Sequence, residues 1–386
     1  MMKNISVIGS GTMGTGIAQL LSSKNYNVVL FDINEKNLSN SKIRLHKILD
    51  KLLHKKKISK NEVNNIISKI KFTNKINNLS KSNIIIEAIT ENFELKTKLF
   101  SNINKIVADE TILTSNTSSL SVTSLASSFK NPNNFIGTHF FNPVPVMNLV
   151  EVIPCVQTSN ETLEQTIKFI KSIKKDVVIA KDTPGFIVNK VARPFYSEAI
   201  RIYEEGLASI YEIDFTMKKF GQFKMGPFEL MDFIGNDINF TVTKSIYEKF
   251  FHESRYKPSL CQKSLVEAGY LGKKTGIGFY KYDKENNIYK SKSEFKSNTY
   301  LYENIFLRII SMLVNEAYDT LYYKIASKED IETAMKNGVN YPKGLFEWEK
   351  EIGKKKISTK LVALYNFYCE ERYRLSPLLN KDVKLL

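Results

Sequence analysis

One residue of this chain is well placed to move a proton without help from a metal. The sequence holds four histidines. His46 and His54 sit in a lysine-rich helical pattern, and His252 follows two phenylalanines in a charged segment. His139 instead ends a short apolar run and opens Gly137-Thr138-His139-Phe140-Phe141-Asn142-Pro143-Val144-Pro145, a loop with two prolines. An imidazole there can take up a proton near neutral pH. Twelve residues on, Glu151 stands alone in the apolar run Leu149-Val150-Glu151-Val152-Ile153. A carboxylate in such a strand is costly to bury without a partner. A histidine–carboxylate dyad would satisfy both groups, the carboxylate orienting the ring and stabilising the imidazolium. The same residues also read as a loop-end histidine and an edge-strand glutamate, each solvated.

The N-terminus favours the dyad, because it supplies a place for a cofactor. Ile5-Ser6-Val7-Ile8 is a short apolar strand, followed by Gly9-Ser10-Gly11-Thr12-Met13-Gly14 and then apolar residues at helical spacing. In that context GxGxxG binds a dinucleotide. Gly9 permits the tight turn, Gly11 lets a pyrophosphate approach the backbone, and Gly14 lets helix and strand pack closely. The helix N-terminus then faces the phosphates. A second strand, Asn27–Phe31, ends at Asp32, eighteen residues after Gly14. A carboxylate there accepts from a ribose 2′-hydroxyl and repels a 2′-phosphate, which selects NAD over NADP.

The remaining elements must bring these groups together. Asn34 to about Lys57 reads as one amphipathic helix ending in Lys55-Lys56-Lys57. That basic run is either a solvated helix end or a landing site for substrate phosphates. Asn83–Ala88, Thr111–Thr114, Phe135–Thr138, Leu149–Ile153 and Asp176–Ala180 read as further strands. With the first two they form an open sheet of seven or eight strands, mostly parallel because helices alternate with them. Glu91, Lys96 and Ser115-Asn116-Thr117-Ser118-Ser119 fall at strand C-terminal ends, where doubly wound sheets bind ligands. Asp182-Thr183-Pro184 is suited to starting a helix. Beyond it the strand pattern stops, and Ile187–Glu205, Ile210–Phe220 and Phe228–Phe251 each read as one helix. The fold class is therefore α/β: a Rossmann-like, doubly wound sheet over residues 1–183, followed by an all-α part. Lys284–Ser297 is polar and reads as a linker, part of residues 284–297.

An internal repeat divides the helical part. Asn315–Gly353 aligns without gaps on Ser197–Gly235 at an offset of 118, matching Glu198 with Glu316, Ser209 with Ser327, Gly226 with Gly344 and Gly235 with Gly353. Matches at helix, turn and cap positions indicate a duplicated helical unit, with one copy in 184–283 and a degenerate one in 298–386. Neither the glycine-rich turn nor His139 recurs.

Composition bounds the partners. A chain of 386 residues with 42% hydrophobic and 25% charged residues is ordinary for a globular protein of two or three domains. The net charge of +16 is not ordinary, but the basic residues are spread along the chain and no nucleic-acid-binding motif accompanies them. Three well-separated cysteines without metal-ligand spacing point to a reducing compartment. No signal peptide and no membrane span is read. A cytoplasmic protein without metal, nucleic-acid or membrane partners is expected.

With these residues in place, the chain resembles the 3-hydroxyacyl-CoA dehydrogenase family, including its bacterial 3-hydroxybutyryl-CoA members. The motifs that carry the resemblance are the Gly9–Gly14 turn, Glu87-Ala88-Ile89-Thr90-Glu91-Asn92, Ser115–Ser119, the His139–Glu151 block, Asp182–Asn189, Met225–Leu230 and Lys273–Tyr280, spread from residue 3 to about 283. The resemblance implies NAD-dependent oxidation of an (S)-3-hydroxyacyl-CoA, and the reverse reaction. It implies His139 as acid–base, Glu151 as its orienting partner, and Ser118 and Asn189 against the substrate. Asn142 would lie near the nicotinamide end. Gly9, Gly11, Thr12, Met13, Gly14, Asp32, Glu91, Lys96 and Lys274 would hold NAD, and Lys55 would reach toward CoA. Short family members dimerise through the helical domain; here the second copy could replace the partner, giving a monomer or a differently built homodimer. A related dehydrogenase of free hydroxy acids, of gulonate or carnitine type, and a non-catalytic NAD-binding protein remain as alternatives.

Overall fold

The structure, a computed structural model, describes residues 4–289 and 298–380. It contains two compact units, Met1–Phe186 and Ile187–Leu386.

The first unit is built on strands β1 (Asn4–Ile8), β2 (Asn27–Phe31), β3 (Ile70–Thr73), β4 (Ile84–Glu87), β5 (Ile112–Ser115), β6 (Phe135–Phe140), β7 (Leu149–Pro154) and β8 (Asp176–Ile179). They form one sheet in the order β3-β2-β1-β4-β5-β6-β7-β8. All neighbours are parallel except β6 and β7. Helices α1 (Thr12–Ser23), α2 (Glu35–His54), α3 (Lys60–Ser68), α4 (Phe93–Ile103), α5 (Val122–Ala126) and α6 (Asn160–Ser172) lie between the strands in sequence. From β1 the chain builds outward to β3, then returns to β4 on the other side. The reversal leaves a crevice at the carboxyl ends of β1 and β4, the place where such sheets take ligands.

Two elements differ from the sequence reading. α3 opens with a capping box, Ser59 with Glu62, whose S-x-x-E spelling is legible in hindsight. β3 is only four residues long and closes the sheet edge beside β2. His139 is also not in a loop: β6 extends through Phe140. Asp182 starts no helix of its own. It accepts hydrogen bonds from Val122 N (3.0 Å), Thr123 N (2.7 Å) and Ser121 Oγ (3.0 Å), capping α5 from a distance in sequence.

Among the described residues the second unit is built on helices, with only isolated β-bridges between residues 272 and 288: α7 (Val188–Val191), α8 (Arg193–Glu204), α9 (Ile210–Lys219), α10 (Pro227–Ile234), α11 (Asn236–Lys249), α12 (Leu260–Glu267), α13 (Thr299–Tyr322), α14 (Lys328–Val339), α15 (Leu345–Ile352) and α16 (Lys354–Tyr368). The single helix expected over Phe228–Phe251 is broken at Gly235, whose φ of +103° no side-chain-bearing residue adopts cheaply. Its repeat mate Gly353, at +93°, breaks α15 from α16 in the same way. Ile187–Glu205 is likewise two helices, with Pro194 in the first turn of the second. Of the expected linker, residues 290–297 lie outside the described residues.

The two repeat segments meet as copies do across a two-fold axis. Phe223 and its mate Tyr341 touch edge to face, ring centres 5.0 Å apart. Glu198 accepts from Arg308 (2.5 Å) and Tyr373 (2.8 Å). Its mate Glu316 accepts from Lys190, the mate of Arg308, and from Tyr256 (2.5 Å). Both glutamates are fully buried. Each half thus sends a cation and a tyrosine to the other's carboxylate, the reciprocal pattern of an isologous interface. Arg255 adds ionic contacts to Glu316 and Asp319. Replacing Glu316 by Gln would leave two buried cations short of a carboxylate. The variant is expected to lose about 3–5 kcal/mol of unfolding free energy, read from urea denaturation.

Candidate active site

The antiparallel step between β6 and β7 creates the dyad. It sets His139 directly opposite Glu151 in the ladder, so their side chains rise from the same face as a cross-strand pair. His139 Nδ1 lies 2.6 Å from Glu151 Oε2. Glu151 is fully buried and His139 is 7% exposed. The imidazole packs against Phe141 and Phe186, with ring centres 4.5 and 5.8 Å away. With Nδ1 given to the carboxylate, Nε2 is the nitrogen available for proton transfer.

A second carboxylate network shapes the adjoining loops. Glu91 accepts from Thr117 Oγ1 (2.7 Å), Ser118 N (2.9 Å), Ser119 N (3.0 Å) and Ser119 Oγ (3.1 Å). Burial alone would raise its pKa, but the Lys96 charge and these hydrogen bonds outweigh that and hold the carboxylate below its ordinary value. Lys96 is 1% exposed, its ammonium set between Glu87 (2.5 Å) and Glu91 (3.4 Å). It anchors Glu91 from below and presents no charge to solvent. Glu87 also accepts from Ser115 Oγ (2.5 Å) and Ile89 N (2.7 Å). The sequence reading left Glu87 without a role, although it carries the same signal as Glu151, a lone carboxylate in an apolar strand. Asn116, also passed over, accepts from Phe140 N at 2.8 Å and ties the Ser118 loop to the strand of His139.

The loop after His139 is held as firmly. Val144 seats against Gly16 of α1, where an added Cβ would come within 3.1 Å. Lys175 donates to the carbonyls of Val144 (2.8 Å) and Met147 (2.5 Å). Asn142, exposed, lies at the start of this loop.

The glycine turn fits a dinucleotide. A Cβ at Gly14 would fall 1.7 Å from Gly9 O, and one at Gly9 would fall 2.6 Å from Ala88 O. At Gly11 it would meet nothing within 4 Å, so the backbone there is open to a ligand. Gly11 is also the N-cap of α1 and offers no side-chain cap, which suits a phosphate at the helix N-terminus. Thr12 and Met13 form its first turn. Asp32 directly follows β2 and accepts from Ser10 N (2.9 Å) and Ser10 Oγ (2.8 Å), binding the turn to the end of that strand. The carboxyl ends of β1, β4, β5 and β6 thus line up the glycine turn, Glu91, Ser118 and His139 at one sheet edge. Lys55 is the exposed C-cap of α2. Asn189 and Lys274 belong to the second unit. Asn189 lies in α7, and Lys274 is clamped by both oxygens of Asp237 at 2.6 and 2.7 Å.

Fold and site define a dinucleotide-dependent dehydrogenase. Comparison with known proteins supplies the family. Residues 4–183 match the NAD binding domain of 3-hydroxyacyl-CoA dehydrogenase, and residues 185–282 and 305–385 each match its C-terminal domain. The chain is 34% identical to a 3-hydroxyadipyl-CoA dehydrogenase of Escherichia coli, covering 100% of this chain and 98% of that protein. It is 42% identical to the mitochondrial hydroxyacyl-coenzyme A dehydrogenase of Sus scrofa, covering 73% of this chain and 92% of that one. The crystal structure of an Escherichia coli 3-hydroxybutyryl-CoA dehydrogenase superposes with a TM-score of 0.90 at 34% identity, covering 98% of both chains. The chain belongs to the 3-hydroxyacyl-CoA dehydrogenase family and is an NAD-dependent oxidoreductase.

The glycine geometry separates two kinds of variant. Gly11→Ala is expected to keep its unfolding temperature while weakening NADH binding about tenfold, or ~1.4 kcal/mol. Gly14→Ala should lower the unfolding temperature itself. Calorimetric unfolding and NADH fluorescence titration of both variants check this.

Proposed function

We propose that the chain oxidises short-chain (S)-3-hydroxyacyl-CoA esters to 3-oxoacyl-CoA, and catalyses the reverse, with His139 as acid–base and Glu151 as its positioning carboxylate. The observation that carries this reading is the buried 2.6 Å contact between His139 Nδ1 and Glu151 Oε2. It sets the ring with Nε2 toward the substrate and gives the imidazolium a counter-charge when the C3 hydroxyl proton arrives. Bound NAD would supply the hydride acceptor for C3. In the reductive direction the protonated His139 returns the proton to the C3 oxygen. The glycine turn and Asp32 hold the dinucleotide. Glu91, fixed by Lys96, shapes the Ser115–Ser119 loop so that Ser118 meets the substrate, with Asn142 at the nicotinamide end. The basic face of α2, with Arg44, Lys47 and Lys51 leading to Lys55, suits the CoA phosphates.

For the chain as a whole we propose a dinucleotide domain over 1–183, a helical domain over 184–283, a linker over 284–297 and a second helical copy over 298–386. The reciprocal contacts of Glu198 and Glu316 support the second copy as a substitute for a partner subunit, and hence a monomer. Free Cys155, Cys261 and Cys369 suit a cytoplasmic location. Among the described residues no helix is long and apolar enough to cross a membrane.

Purified protein should oxidise NADH with acetoacetyl-CoA and not with free acetoacetate; turnover of the free acid alone would overturn the CoA assignment. His139→Ala should abolish the reaction. Glu151→Gln should lower kcat by roughly 10²–10⁴ while leaving the KM for NADH within about twofold. Equal losses in both would refute the positioning role. Sedimentation velocity should give a single species at the monomer mass of 44.3 kDa.

A further inference from the structure

A cavity of about 230 Å³ lies within the helical unit, between α8, the segment leading into α12, and the 3₁₀ turn Glu371–Tyr373. Arg201, Lys257 and Arg372 line it, with the carboxylates of Glu204 and Glu370. Most of these charges are matched. Glu204 accepts from Ser259 Oγ (2.8 Å) and Cys261 N (3.1 Å). Arg201 is held by Glu370 (2.5 Å) and Glu205 (3.1 Å). Arg372 is the least well matched. It is 6% exposed, and its Nε, like those of Arg201 and Arg255, makes no hydrogen bond among the described residues. Its ionic neighbour among the described residues is Glu370 at 3.4 Å, already engaged by Arg201.

The internal repeat explains why. Ser254-Arg255-Tyr256-Lys257 aligns on Glu371-Arg372-Tyr373-Arg374 at an offset of 117, and both segments form a 3₁₀ turn. The mate of Arg372 is therefore Arg255, equally buried, which is neutralised by Glu316 and Asp319. The residues corresponding to Glu316 and Asp319 in the other half are Glu198 and Arg201. Glu198 bonds Arg308 and Tyr373, and the second carboxylate has become a guanidinium. One half of the pseudo-dimer neutralises its arginine with two carboxylates. In the other half an arginine stands in place of the second carboxylate, and Arg372 shares Glu370 with Arg201 beside the cavity.

We propose that this cavity is a binding site for a phosphate group, free or as a phosphomonoester. A buried guanidinium that shares its one carboxylate with a second arginine is incompletely compensated, and its fork matches the oxygens of a tetrahedral oxyanion. Lys257 at the exposed rim adds a second cation. Because Arg372 belongs to the second repeat and Lys257 to the first, the bound group clamps the two copies together and stabilises the helical unit. The site contains none of the residues assigned to NAD, acyl group or proton transfer.

The test uses the full chain saturated with NADH, so that the dinucleotide site is filled. Its unfolding temperature is followed as inorganic phosphate rises at constant ionic strength. A saturable increase is expected, with its midpoint shifted roughly tenfold or more in Arg372→Gln and lost in Lys257→Glu, whose position is exposed and tolerant. NADH-dependent turnover of acetoacetyl-CoA should be unchanged in both variants. If ribose 5-phosphate saturates at lower concentration than inorganic phosphate, the natural group is a phosphomonoester; the reverse order indicates free phosphate. No saturable increase in the parent protein, or an equal one in Lys257→Glu, overturns the proposal.

Discussion

The site depends on one register, the antiparallel pairing of β6 with β7. Elsewhere the sheet is parallel, and parallel neighbours place the ends of successive strands side by side. Reversing one strand makes the C-terminal part of β6 face the N-terminal part of β7, and the ladder puts His139 directly across from Glu151. A slip of one residue would send one side chain to the opposite face of the sheet. The dyad is thus held by backbone hydrogen bonds on both strands, with the apolar neighbours Val150 and Val152 locking the register.

A histidine and a carboxylate are useful only if the loops around them are equally still. The structure achieves this with carboxylates and cations, several of them buried, that bond backbone and hydroxyl groups. Glu87 organises the start of the Glu91 loop, Lys96 bridges Glu87 and Glu91, and Glu91 gathers the Ser118 loop. Asp182 caps α5 across a long stretch of chain. Lys175 closes the turn after His139. Glu87, Lys96 and Lys175 are buried, Asp182 is partly buried and Glu91 is exposed, but each is held by several partners, and a well-satisfied polar network rigidifies a site.

The helical unit follows a different logic. It repeats one module and packs the copies against each other with reciprocal contacts, so that Phe223 meets its own mate Tyr341 and Glu198 and Glu316 are neutralised across the interface. Duplication in a single chain frees the two halves from being identical. The exchange of a carboxylate for Arg201 opposite Arg372 is possible only because the halves no longer share one sequence.

Much was legible in the order of residues alone. The GxGxxG turn between strand and helix, the acid ending β2, the apolar strands and the repeat are local patterns, each readable because backbone conformation there is set by neighbours in sequence. Glycines without a tolerated Cβ and lone carboxylates in apolar runs announce themselves in this way. Helix breaks were less legible, since Gly235 acts through its positive φ and not through the apolar pattern, which continues across it. What only the tertiary structure decided is which distant groups meet. Lys96 reads as a cation at the ligand-binding end of a strand, and only the fold sets it between the carboxylates of Glu87 and Glu91. The partner of Glu151, the long-range cap from Asp182 and the weakly paired Arg372 likewise depend on strand order and on how two repeats pack. Those relations are fixed by burial, which leaves each charge only the partners the fold brings within reach.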